Sequence, residues 1–190
     1  MAIRMVQFCQ STVMQAHGTS APVMQRARNF GSCLAFCIHY AKAVMGGTHQ
    51  ASRILGALKD KANQIIRDQT DASIDLVFQG QTYLRKIVNK HGLEFQEITA
   101  DDDLSNYTVA AHTMALHTFY FSYTDQQGKP KRGAHAILHT RYGDDTVQVF
   151  EPNHGCYSVT ADEWRSWTKN VARHYGTNDG HVFMEISKPA

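Results

Sequence analysis

Cys33 follows Gly31-Ser32 and opens an apolar run, Cys33-Leu34-Ala35-Phe36-Cys37. The first N–H groups of a helix have no internal partner and form the positive end of its dipole, so a thiolate is favoured there. Gly31 lets the chain turn sharply, and Ser32 is a residue type suited to capping the helix start. A thiol nucleophile needs a base, and Gly133-Ala134-His135-Ala136-Ile137 offers an imidazole. Val149-Phe150-Glu151-Pro152-Asn153-His154-Gly155 then supplies a carboxylate and an amide that could orient that ring. Nucleophile, base and orienter together make acyl-transfer chemistry. Cys33 attacks a carbonyl, His135 takes the thiol proton and hands it to the leaving amine, and Glu151 or Asn153 fixes the tautomer. Donors for the oxyanion would be the Cys33 backbone N–H and an upstream side-chain amide, Asn29 or Gln25.

These residues must be held by helices first and strands after. Leu34, Cys37, Ile38, Ala41, Val44 and Met45 recur at helical spacing and predict a helix from about Cys33 to Met45. Cys37 lies in that stripe and reads as a core thiol, whereas Cys33 lies off its centre and reads as exposed. Ile54, Leu55, Leu58, Ala62, Ile65 and Ile66 predict a second helix over about 49–68, and Tyr83, Leu84, Ile87 and Val88 a third ending at Gly92. Asp101 to Asp103 reads as a solvated acidic turn. Strands are expected at Met114 to Thr124, Arg132 to Tyr142 and Thr146 to Glu151, with turns between them. That hairpin brings His135 opposite 151–154. Ala161 to Tyr175 reads as a helix, and Val182, Met184 and Ile186 as a last strand. The order implies an α+β domain, with a helical lobe packed on an antiparallel sheet. Residues 1–24 read as a leader or edge segment, and 25–190 as the domain.

A length of 190 residues suits one domain with a proper core, and a net charge of +2 gives no reason to expect nucleic acid as a partner. Lys129, Lys131 and Arg132 sit beside Gly128 and Pro130 and read as a solvated turn. Cys9, Cys33, Cys37 and Cys156 lack the spacing of a disulfide framework, and no secretory signal or membrane-spanning stretch is seen. Among eleven histidines, His112 and His117 read as partly buried or edge residues. His135 and His139 with Cys33 or Cys156 lack closed-site zinc spacing, so no metal and no cofactor is expected. Trp164 and Trp167 lie three apart, so at least one belongs to the core.

Gly31-x-Cys33 at a helix start, His135-Ala136-Ile137 on a strand and the Glu151-Pro152-Asn153-His154-Gly155 turn together resemble the YopT/AvrPphB family of papain-like cysteine proteases. The likeness runs mainly from about Tyr120 to Tyr175, with a shorter match at the cysteine helix. It implies a papain-like fold, with Cys33 as nucleophile, His135 as base and Glu151 where the family has an aspartate. Glutamate is one methylene longer, which leaves Asn153 open as an alternative orienter. The resemblance also implies a bacterial effector or toxin, secreted without a classical signal peptide, that cleaves a protein in the target-cell cytoplasm. A secretion chaperone is a candidate partner. A deamidase or transglutaminase with the same triad, and a non-catalytic binding module on this fold, are the alternatives.

Overall fold

The computed structural model describes residues 2–16, 32–69, 81–101, 103–143 and 145–189. Gln25, Asn29 and Gly31 lie outside them, so the side-chain oxyanion donors and the turn before Cys33 are not described. The elements run β1 (Ile3–Gln7), α1 (Gln10–Ala16), α2 (Cys33–Met45), α3 (Ala51–Asp60) and α4 (62–69). They continue with α5 (Gln81–Lys90), β2 (Glu94–Ala100), β3 (Met114–Thr124), β4 (Pro130–Arg141), β5 (Thr146–Glu151), β6 (Gly155–Thr160), α6 (Ala161–His174) and β7 (Thr177–Ser187). All seven strands form one antiparallel sheet in the order β1-β6-β5-β4-β3-β7-β2.

Alternation along the strands gives the sheet two apolar faces. Ala136, Leu138 and Phe150 face the helical lobe, where they pack with Phe36, Cys37, Tyr40, Ile54, Ile65 and Val88. Ile137, Val147 and Val149 face the other way, onto Trp164 and Ala172 of α6. The sheet is therefore covered on both sides. Tyr40 stacks on Phe150 with ring centroids 4.6 Å apart, and Phe8 packs edge-on to both Phe36 and Phe150. The N-terminal segment thus enters the same core as the cysteine helix.

Four expectations are corrected. The second helix breaks at Lys61, giving α3 and α4. Asp101 is only 3% exposed rather than solvated. Its carboxylate accepts the backbone N–H groups of Ser105, Asn106 and Tyr107, which closes that loop onto itself. His117 is fully buried within β3. Strands β2 and β6 have no counterpart in the sequence reading, and β1, at one edge of the sheet, falls in the segment read as a leader or edge.

His117 belongs to a polar chain inside the core. Trp164 Nε1–H donates to His139 Nδ1 at 3.0 Å. An indole N–H can only donate, so His139 carries its proton on Nε2. That N–H faces His117 Nδ1 at 3.4 Å, and His117 Nε2 in turn faces His181 Nδ1 at 2.9 Å. His181 Nε2 meets Asn178 Oδ1 at 2.9 Å. One donor at the head of the chain therefore fixes all three imidazoles as neutral Nε2–H tautomers. Burial agrees with this: it drives His117 well below the ordinary imidazole pKa and His139 to about 3.

Candidate active site

Strand β4 outruns β5. Their pairing extends from Arg141↔Val147 to Leu138↔Phe150, so His135 lies beyond it, level with the turn that follows β5. Helix α2 packs over the same end of β4, where Cys37 Sγ lies 3.5 Å from the Ala136 carbonyl oxygen. These two facts place the start of α2, and with it Cys33, beside His135. Cys33 is 5% exposed, which corrects the expectation of an exposed thiol. Cys37 is fully buried, and burial pushes its pKa well up, with the nearby Cys33 and Glu151 charges adding to the effect.

His135 Nε2 meets Glu151 Oε1 at 2.5 Å, which leaves Nδ1 as the ring nitrogen available for its hydrogen bond to Cys33. Burial alone would lower the His135 pKa. The Cys33 side chain and then Glu151, by charge and hydrogen bonding, outweigh it and raise the value to about 9. Burial would likewise raise Glu151, but His135, the Tyr175 hydroxyl and the Asn153 N–H hold its carboxyl below the ordinary range. The ring of His135 also stacks on Tyr175, with centroids 4.3 Å apart.

Glu151, not Asn153, is the hydrogen-bond partner of His135. Asn153 supports the carboxylate instead: its backbone N–H lies 3.2 Å from both Glu151 oxygens. Its side chain donates from Nδ2 to the Tyr175 oxygen at 2.7 Å, and Tyr175 O–H donates to Glu151 Oε1 at 2.8 Å.

The support continues to the N-terminal segment. Gln10 Nε2 donates to Asn153 Oδ1 at 2.7 Å, and Gln10 Oε1 accepts the Ser32 backbone N–H at 3.1 Å. The Gln10 backbone N–H is bonded to the Pro152 carbonyl at 2.8 Å. A run of bonds with one donor direction therefore leads from the residue before Cys33, through Gln10, Asn153, Tyr175 and Glu151, and meets His135. Gly155 makes this approach possible. A Cβ there would lie 2.1 Å from the Val6 carbonyl oxygen, and its φ of +119° is one L side chains rarely adopt.

Ser32 does not cap α2 as its type suggests. Its hydroxyl makes no cap bond and is buried without a partner among the described residues. The first turn is served from elsewhere: Gln69 Oε1 accepts the Ala35 N–H at 2.9 Å and Gln10 takes that of Ser32. Gln10 and Tyr175 were absent from the sequence-derived site. Gln10 sits in a stretch without periodicity, and Tyr175 reads as one more apolar residue of its helix.

No family model matches the chain, and no curated protein matches it in sequence. Among solved structures, the Pseudomonas avirulence protein AvrPphB aligns with a TM-score of 0.59 at 14% identity, covering 83% of this chain and 92% of that one. Over that span the chain shares the α+β, papain-like fold of AvrPphB.

Proposed function

We propose that this chain is a papain-like cysteine protease with Cys33 as nucleophile, His135 as general base and Glu151 as the group that orients it. The observation that carries this reading is His135, held by Glu151 at 2.5 Å on one side and bonded to Cys33 on the other, where Cys33 opens a helix. In this reading the Cys33 proton passes to His135 Nδ1, and the thiolate attacks the scissile carbonyl carbon. The Cys33 backbone N–H, at the first position of α2, is assigned to the oxyanion. The C–N bond breaks as His135 returns the proton to the departing amine. Water, deprotonated by the same ring, then hydrolyses the thioester and restores the thiol. Glu151 and its bonds from Tyr175 and Asn153 keep the Nε2–H pointed away from the sulfur throughout.

The fold likeness to an avirulence protein extends the reading to a bacterial effector that cleaves a protein inside a target cell. Among the described residues no helix is long and apolar enough to cross a membrane.

The test is a comparison of new protein N-termini in target-cell lysates treated with wild type or with Cys33→Ala. Cleavage at defined bonds by wild type alone is the expected result. Conversion of a side-chain amide to an acid, or amine incorporation, would make the chain a deamidase or transglutaminase with the same triad. Identical outcomes for the two proteins would remove the enzymatic reading.

A further inference from the structure

On the far side of α2 from the sheet, two imidazoles and a carboxylate converge. His39 of α2, Asp68 of α4 and His91, just after α5, place one ligand atom each within 4.8 Å of the other two. Both imidazoles address the same carboxylate oxygen: His39 Nε2 lies 2.9 Å from Asp68 Oδ2, and His91 Nε2 3.2 Å from it. The other oxygen, Oδ1, is taken by Gln64 Nε2 at 2.9 Å and Lys90 Nζ at 2.8 Å. The carboxylate is thus split into a side held by the protein's own donors and a side aimed between two histidines.

His91 is 9% exposed, and its Nε2 is buried without a hydrogen-bond partner among the described residues, although an oxygen lies so near. A buried polar atom left this way is costly unless something else uses its lone pair. A tetrahedral cation bound at about 2.0 Å spaces its ligand atoms about 3.3 Å apart. The two nitrogen-to-oxygen distances lie just below that figure.

We propose that His39, Asp68 and His91 form a binding site for a divalent transition-metal cation of the zinc class, which staples α2, α4 and α5 together. Two nitrogens and a carboxylate oxygen are a donor set that zinc accepts, with a further position left for water. Each histidine coordinates through Nε2 as the Nδ1–H tautomer, and any proton that Nε2 carried moves to Nδ1. No redox change or covalent step is involved. The metal would also fix the end of α4, where Gln69 accepts the Ala35 N–H in the first turn of the cysteine helix. The site would therefore stabilise the start of α2 from outside the catalytic residues, and it does not depend on the protease reading.

The test uses the full chain as Cys33→Ser, so that no thiolate at position 33 competes for metal. Calorimetric titration with zinc chloride and absorption spectra with cobalt(II) chloride are run beside thermal melts. The expected result is one equivalent bound, visible cobalt d–d bands without a thiolate charge-transfer band, and a rise in melting temperature with zinc. His39→Gln and His91→Gln should each weaken binding by about 100-fold or more, because losing a direct ligand costs at least as much as losing a residue that only supports one. Their metal-free melts and circular dichroism report whether they fold. Binding that persists unchanged in folded His91→Gln, or no binding by the parent protein, would overturn the proposal.

Discussion

Raising the pH should destabilise this fold through His135 by an amount that follows from its surroundings. An imidazole free in an unfolded chain titrates near 6.5. In the fold His135 titrates at about 9, because the Cys33 and Glu151 charges outweigh its desolvation. The folded state therefore binds the proton more tightly than the unfolded state. Its contribution is complete below the unfolded value, at about 3 kcal/mol for the full shift, and is lost as pH rises through the folded value. Between about pH 7 and pH 10 the loss is about 2–3 kcal/mol, a sizeable part of the ~5–15 kcal/mol that holds a typical domain together. Cys37 and Cys156 complicate the raw measurement. Both are held above the ordinary thiol pKa, Cys156 at about 11, so both also favour unfolding at high pH. A double difference removes them. Urea denaturation of wild type and of His135→Gln, each at both pH values, isolates the part due to His135 and the Cys33 and Glu151 charges coupled to it, since Cys37 and Cys156 are present in both proteins. The wild-type advantage should shrink by about 2–3 kcal/mol from the lower pH to the higher. An advantage that stays constant would mean that His135 is not held as an imidazolium, and the ion-pair account of the site would fail.

Three further outcomes are expected. Glu151→Gln should lower kcat/KM on a cleaved peptide less than His135→Ala does, because an orienter contributes less than the base it orients; an equal or larger loss would contradict the assigned roles. Gln10→Ala leaves the Ser32 N–H and Asn153 Oδ1 without their partner, costing about 1–3 kcal/mol, and should slow alkylation of Cys33 by iodoacetamide; an unchanged alkylation rate would show that Gln10 does not hold the site. The buried chain of His117 and His139 should make the fold acid-sensitive, since both are kept neutral while their unfolded counterparts take up protons below about pH 6.5. Between about pH 7 and pH 5 His139 costs about 2 kcal/mol, His117 and His91 add to that loss, and His135 returns less than about 1, so melts should fall over that interval, and a flat profile would refute the neutral assignment.

What could be read from the sequence was whatever is written locally. The apolar stripe of α2 repeats every turn, and β3, β4 and β5 alternate between faces, so the helix that carries Cys33 and the strand that carries His135 announce themselves. A short turn joins β4 to β5, which is why the sequence could set His135 opposite 151–154, although it left Glu151 and Asn153 both open as the orienting residue. Strands β1, β2 and β6 carry no such signature. β2 and β1 are the two edges of the sheet, and their strand character comes from the neighbour they pair with. β6 begins at Gly155, which reads as a turn residue, and only the closeness of Val6 shows why glycine stands there. Ser32 is misleading for a related reason. Its type favours capping, but Gln10 and Gln69 arrive from other elements and take the N–H groups of that turn first.

The same division runs through the site itself. Cys33, His135 and Glu151 each sit in a recognisable local setting, whereas Gln10, Asn153 and Tyr175 act through contacts between segments far apart in the chain. A chain could keep the first three residues after losing the last three. Its histidine would then face a carboxylate with fewer donors to hold it, and its cysteine helix would begin on an untethered Ser32. The bond from Gln10 to Asn153 is therefore a better sign of a working constellation than the triad letters alone. It ties the N-terminal segment, which the sequence leaves looking like a leader or an edge segment, to the residues that hold the imidazole in place.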